Sequence, residues 1–272
     1  MLNPISSKIL IKSVGNMHAQ SDSKFLSCLR ELVELAEKLN DALVDKKETF
    51  DDNDMRNEHA FVAHFHQRTL RYAESIVVLT NRGFLLESVV IARVLLEGMF
   101  VFVGYLRDRS LAHDWHLFSV HEDYHKARRR AGPSSANKLM DGYKNKFGAV
   151  IEEAEQAFSA SRKNKLVRFD ASKRWYLENN LRTLVEKQAD ADLMEFYDVL
   201  YRDFSEPMHW TITGVLYGDS YINLGLAVAF DTLFIVSKVA DERYELGFGA
   251  RLTDLYEKSK KVSGSLFKAP TS

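Results

Sequence analysis

One cysteine in 272 residues, Cys28, leaves no internal disulfide and no thiolate metal cluster, so a reducing, cytoplasmic setting is expected. Proline is scarce as well. Pro4, Pro133, Pro207 and Pro270 are the four, and none falls between positions 5 and 132. A stretch that long without proline suits long helices, because an interior proline costs ~3 kcal/mol. An excess of either charge is missing: 37 Lys and Arg stand against 38 Asp and Glu, a net charge of −1. This excludes a polybasic nucleic-acid tail or an acidic solvating chain, and any charged binding surface must be a local patch. The glycine-rich phosphate loops G-x-x-x-x-G-K and G-x-G-x-x-G are absent, as is the G-x-S-x-G nucleophile elbow. Gly247-Phe248-Gly249 is too short to stand for any of them. The first residues lack the basic, then apolar, then small pattern of a secretory signal. No cofactor is expected.

What is present is helical periodicity. Phe25, Leu26, Leu29, Leu32, Val33, Leu35, Ala36, Leu39 and Leu43 recur at threes and fours and predict an amphipathic helix over 22–46. Asp51, Asp52, Asn53 and Asp54 offer capping oxygens to a second helix, which Asn81-Arg82-Gly83 ends. Phe84 to Leu106 is the most apolar segment and long enough to span a bilayer, but Glu87, Arg93 and Glu97 interrupt it. Each central charge in a membrane costs ~2.5–3.5 kcal/mol, so the segment reads as the central helix of a bundle and no membrane partner is expected. Further helices are expected over 110–130, 136–160, 171–189 and 191–204, the last stopping before Pro207. Tyr221 to Val239 reads as the last core helix, and from Ser259 a basic, flexible tail is expected. No alternating strand run or internal repeat is visible. The fold class is therefore all-α: an N-terminal extension over 1–21, one bundle of five to eight helices over 22–258, and a tail over 259–272.

His121-Glu122-Asp123-Tyr124-His125 is a literal H-E-x-x-H, with two histidines on one helix face and a glutamate between them. Asp123 occupies an inner position where zinc proteases carry an apolar residue, and Arg128 and Ala131 stand where the extended pattern needs Gly and His. A solvated polar helix face is the competing reading of His121 and His125. His59 and His66, seven apart, share a face and read as core-edge residues; His64 points elsewhere. Arg93 and Glu97 sit four apart on the most apolar helix. They read either as an ion pair fixing helix register or as the lining of an interior polar pocket. Two basic stretches stand out. Lys126 to Lys146 holds seven Lys or Arg against one acid, and Arg162 to Arg174 six against one. Arg128, Arg129, Arg130, Lys144 and Lys146 are the candidates for a substrate patch that attracts phosphate, with Tyr143 and Phe147 interleaved for base stacking. A solvated basic face is the plainer alternative.

The stretch Ala92-Arg93-Val94-Leu95-Leu96-Glu97 resembles the helix signature of a bacterial family of unknown function. Trp175, Leu181 through Glu186, and Tyr197 through Ser205 to His209 resemble that family's second half, in the expected order. The terminal element is also similar to HEPN (higher eukaryote and prokaryote nucleotide-binding) domains, compact helical bundles frequent in toxin and antiviral-defence systems. Many are metal-independent ribonucleases carrying Arg, a polar residue and a His, with four to six residues between the Arg and the His, and with the active site formed across a homodimer. The resemblance implies that His209 is the general acid or base, that Arg202 steadies phosphoryl charge and that Asp203 orients them. Tyr197 and Ser205 then join Arg93 and Glu97 in the interior. RNA, a second copy of the chain and a defence-system protein are the partners it implies. The Arg-to-His spacing itself occurs three times, from Arg107 to His113, Arg109 to His116 and Arg202 to His209, and only the surrounding Tyr…Ser…His stretch favours the third. A non-catalytic helical module that binds a protein or small ligand is the rival expectation.

Overall fold

The structure, a computed structural model, describes residues 19–46, 53–130, 136–163, 181–187, 194, 197–201 and 222–266. Among them lie eight α-helices, one π-helical turn and no strand, so the chain is an all-α, multi-helix bundle. We number the helices α1 (Ala19–Asp45), α2 (Asn53–Asn81), α3 (Leu85–Arg107), α4 (Ser110–Arg130), α5 (Ala136–Lys163), α6 (Leu181–Lys187), α7 (Ile222–Tyr244) and α8 (Gly249–Leu266). The π-helical turn is Tyr197–Tyr201.

The apolar spacing sets the packing. Leu29, Leu32, Ala36, Leu39 and Leu43 repeat at alternating steps of three and four along α1, and all five are fully buried. A buried leucine contributes ~1.5–3 kcal/mol, so this single stripe is a large share of what holds α1 to α2, α7 and α8. The α2 helix ends where Gly83 takes φ +78, a left-handed conformation that a side chain would strain. The chain turns there, and Ser88 ties the new helix back by donating to the Phe84 carbonyl at 2.9 Å.

Helices α3 and α7 are long and apolar enough to cross a membrane by length and composition, and in the fold they pack on each other and on α2. Their axes approach closely at Gly225, where a Cβ would meet the Ala92 Cβ at 3.3 Å. Phe61, Phe65, Phe102, Tyr105 and Trp115 form an aromatic cluster, with ring centroids 4.5–6.3 Å apart, that anchors α4 to α2 and α3.

The helix boundaries through α5 agree with the periodicity to within three residues. The C-terminal region differs. A further helix, α8, packs on α1 and α7 and runs on to Leu266, so the tail expected from Ser259 begins inside an ordered helix. Ser259 is buried and Val262 packs against the core. The polar sequence hid this helix because a narrow stripe, Leu252, Leu255, Tyr256, Ser259 and Val262, makes the contact. Asp241 starts α8: its carboxylate accepts the Phe248 N–H at 2.6 Å and sits beside Gly249. Of the helices expected over 171–189 and 191–204, the described part comprises α6, Met194 and the π-helical turn.

Candidate functional site

Of the residues predicted to be polar and interior, Arg93 and Glu97 share a face of α3 and Tyr197 leans on Phe100 of the same helix. Arg93 and Glu97 are both half-buried there, one turn apart, with the fully buried Phe100 one turn further on. The π-helical turn lies across this face. The Arg93 guanidinium donates to the Tyr201 hydroxyl at 2.7 Å and stands 4.5 Å from the Tyr201 ring centroid. One side chain thus receives both a charge-assisted hydrogen bond and a cation–π contact. Tyr201 stacks on Tyr197 at 5.0 Å and an interplanar angle of 15°. Both rings lean on Phe100, at 6.4 and 5.9 Å.

The four-residue spacing of Tyr197 and Tyr201 puts them on one face, and their hydroxyl groups give a polar edge that an all-aliphatic turn would lack. The π-helical geometry itself is uncommon and concentrates at functional sites. The four-residue spacing offers Glu97 as an ion-pair partner for Arg93, or both as the lining of a polar pocket. The fold gives Arg93 a partner 108 residues away, which no local spacing could reveal. Tyr201 was visible in the motif but was not singled out. Its signal is its place one helical turn after Tyr197 and immediately before Arg202.

Arg202, Asp203, Ser205 and His209 lie outside the described residues. His121 and His125 occupy α4 one turn apart, and their side chains are likewise outside the described set. No group of three His, Cys, Asp or Glu converges on a common point among the described residues. Lys144 and Lys146 are exposed on α5, while Arg128, Arg129 and Arg130 form the last turn of α4.

Two further polar groupings emerged only from the fold. Glu58 gathers partners from three directions: the Tyr105 hydroxyl at 2.6 Å, Arg243 at 2.8 Å and Arg109 at 3.1 Å. Burial opposes its ionisation, but the hydrogen bonds from Arg243 and Tyr105 and the two guanidinium charges outweigh burial, holding the carboxyl below its usual range. The same arrangement raises Tyr105, first by burial and then by the carboxylate it donates to. The second grouping surrounds His66, which is fully buried between Asn40 and Ser237. Its Nδ1 donates to the Asn40 Oδ1 at 3.3 Å, which leaves Nε2 of the neutral ring to accept from the Ser237 hydroxyl at 3.1 Å. Burial lowers its pKa to about 4. His59, also buried, donates from Nε2 to the Leu43 carbonyl at 2.8 Å and meets the Tyr244 ring edge-on. Both histidines, expected at the core edge, are core members that join helices.

Residues 59–222 match the family of unknown function DUF5677, and the chain belongs to that family. The matched span starts one residue after Glu58, takes in Arg93 and Tyr201, and ends at the start of α7. No curated protein matches the chain, and no solved structure does.

Proposed function

We propose that this DUF5677 member is an HEPN-like RNA-acting protein: a metal-independent endoribonuclease that uses Arg202, Asp203 and His209. The observation that supports the reading is the anchored turn. Arg93 holds Tyr201 by ring and hydroxyl, and Tyr201 is the residue directly before Arg202 in the Arg-Asp-…-His stretch. Preorganisation of the residue next to a catalytic arginine is worth building, because small displacements of a charge-stabilising group cost large factors in rate.

The chemistry follows from RNA carrying its own nucleophile. His209 takes the proton from a ribose 2′-hydroxyl, and the oxygen attacks the adjacent phosphorus. The bond from phosphorus to the 5′-oxygen breaks, leaving a 2′,3′-cyclic phosphate on one fragment and a 5′-hydroxyl on the other. The departing oxygen receives a proton from a general acid or from water. A histidine titrates near neutral pH, which suits the first transfer. The Arg202 guanidinium offers paired donors to the non-bridging oxygens as negative charge builds on them. Asp203 orients the histidine or the arginine. The homodimer and the defence-system partner belong to the same proposal.

End-group analysis of cleaved RNA tests it. The proposal requires a 2′,3′-cyclic phosphate and a 5′-hydroxyl, and no cleavage where the nucleotide is 2′-deoxy. A 3′-hydroxyl product, or cleavage at the deoxy position, rejects it. RNA left intact under all conditions moves the reading to the helical binding module.

A further inference from the structure

We infer that the α4–α5 hairpin is an arm that grips the phosphodiester backbone of single-stranded RNA, an inference that rests on the RNA reading above for the identity of its polyanion. The hairpin is an antiparallel pair. His113 near the start of α4 meets Glu153 on the distal half of α5 at 2.9 Å. Leu117 and Phe118 then pack with Val150 and Ala154, forming a small apolar cluster separate from the main core. Helix α5 packs against α4, and α4 in turn against α2 and α3, so α5 joins the bundle chiefly through its hairpin partner. Only five positions separate Arg130 from Ala136, so the end of α4 lies near the start of α5.

That pairing brings together the two halves of the strongest basic segment in the chain. Lys126, Arg128, Arg129 and Arg130 stand on the last turns of α4, and Lys138, Lys144 and Lys146 on the first half of α5, against the single acid Asp141. A local charge of +6 in a chain of net charge −1 is segregation, not average composition.

The backbone marks the edge of this region. Phe147 leaves helical geometry (φ −130, ψ 17) inside α5, beside Gly148, and bends the helix there. Before the bend, Asp141, Gly142, Lys144, Asn145 and Lys146 are all exposed. After it, among the residues whose side chains are described, the exposed charges are the acids Glu152 and Glu153. Sign therefore changes at the bend. At 100° per residue, the exposed positions 141, 142, 144, 145 and 146 cover an arc of about 200°, a broad face open to a ligand. Lys146 lies over the Phe147 ring at 5.2 Å, placing a cation beside an aromatic surface, the pairing that single-stranded nucleic acid uses. Charge complementarity names the occupant as a phosphate backbone, and the flexible single strand can follow a bent helix.

The test uses the full chain and fluorescein-labelled poly(U), with anisotropy measured over a range of salt concentrations. Wild type binds with affinity that falls as salt rises. Lys144→Glu/Lys146→Glu weakens binding by about tenfold or more, and two lost phosphate contacts lower the salt slope by about 1.4, at ~0.7 each. Lys144→Gln/Lys146→Gln shows a smaller loss in the same direction. Lys24→Glu/Lys38→Glu makes the same change in net charge on exposed positions of α1 and leaves binding unchanged. Equal binding by the arm variants and wild type overturns the arm and leaves the RNA reading standing. Arm-dependent binding without cleavage upholds the arm and sinks the ribonuclease. No binding of poly(U) by wild type overturns the arm, as does equal competition by poly-glutamate, which would make the arm a dock for an acidic protein.

Discussion

The Arg93–Tyr201 contact links α3 to the anchored turn and can be removed atom by atom. Tyr201→Phe deletes the hydroxyl that accepts the 2.7 Å hydrogen bond while keeping the ring beneath the guanidinium and against Tyr197. A hydrogen bond to a charged group contributes ~1.5–3 kcal/mol, and half-burial places this one at the low end, so the variant should lose about 1.5 kcal/mol. Arg93→Met keeps the aliphatic stem and also removes the cation–π contact, worth ~0.5–2 kcal/mol. Arg93→Met should therefore cost about 2–3 kcal/mol, and the double variant little more than Arg93→Met alone. The coupling energy of the pair is then about 1–2 kcal/mol. Urea unfolding of the four proteins measures it, and the single variants should melt roughly 3–12 °C below wild type, at ~2–4 °C per kcal/mol. In the RNA-cleavage assay Tyr201→Phe should lower kcat with little change in KM, because it loosens the residue before Arg202 without touching substrate. Additive losses, with coupling below ~0.5 kcal/mol, would refute the claim that this contact holds the turn.

Glu58→Gln should destabilise the protein by ~2–4 kcal/mol in urea unfolding, because the buried Tyr105 hydroxyl keeps only a neutral acceptor and two guanidinium groups lose their carboxylate. The Glu58 carboxyl has a lowered folded pKa, so its stabilisation is complete above the unfolded value and disappears as pH falls through the folded one; Glu58→Gln should flatten that acid-side slope. His66 contributes in the same pH direction for a different reason. With a folded pKa of about 4 against 6.5, the unfolded chain binds the extra proton between those values, and stability drops by about 3 kcal/mol from pH 7 to pH 4. His66→Gln should remove that slope, read as the difference from wild type in urea midpoints between pH 7 and pH 5. The comparison matters because Asp231, pushed up to about 7 by burial, acts in the opposite sense in both proteins. An unchanged slope would mean His66 is not held neutral.

Much of the fold is local and was therefore legible. The three-and-four stripe of α1, the glycine stop after Asn81 and the proline-free run each act within one or two turns of helix, and the helices form where they say. The misread part was α8, whose contact stripe is narrow and diluted by Glu257, Lys258, Lys260 and Lys261. Long-range polar pairs left no periodic trace. Tyr201 comes to Arg93 from 108 positions away and Arg243 to Glu58 from 185. Such contacts depend on which helix faces meet, and a stripe of apolar residues fixes that only coarsely. His66 illustrates the same limit. Its seven-residue distance from His59 gave the face, but its burial arises from α1 and α7 closing over it at Asn40 and Ser237. Of the candidate site, Arg93, Glu97 and Tyr197 are legible in the sequence, whereas the link that Tyr201 makes from the π-helical turn to Arg93 on α3 is not.

Cleavage of RNA in excess EDTA by wild type, His209→Ala and His121→Ala, with melting temperatures measured alongside, tests the central claim most directly. The account predicts that wild type and His121→Ala cut RNA in EDTA, while His209→Ala keeps its melting temperature and loses cleavage by a factor of ~10²–10⁴, the usual contribution of a general acid or base. Cleavage that EDTA abolishes, or that survives loss of His209 and fails with loss of His121, would contradict it.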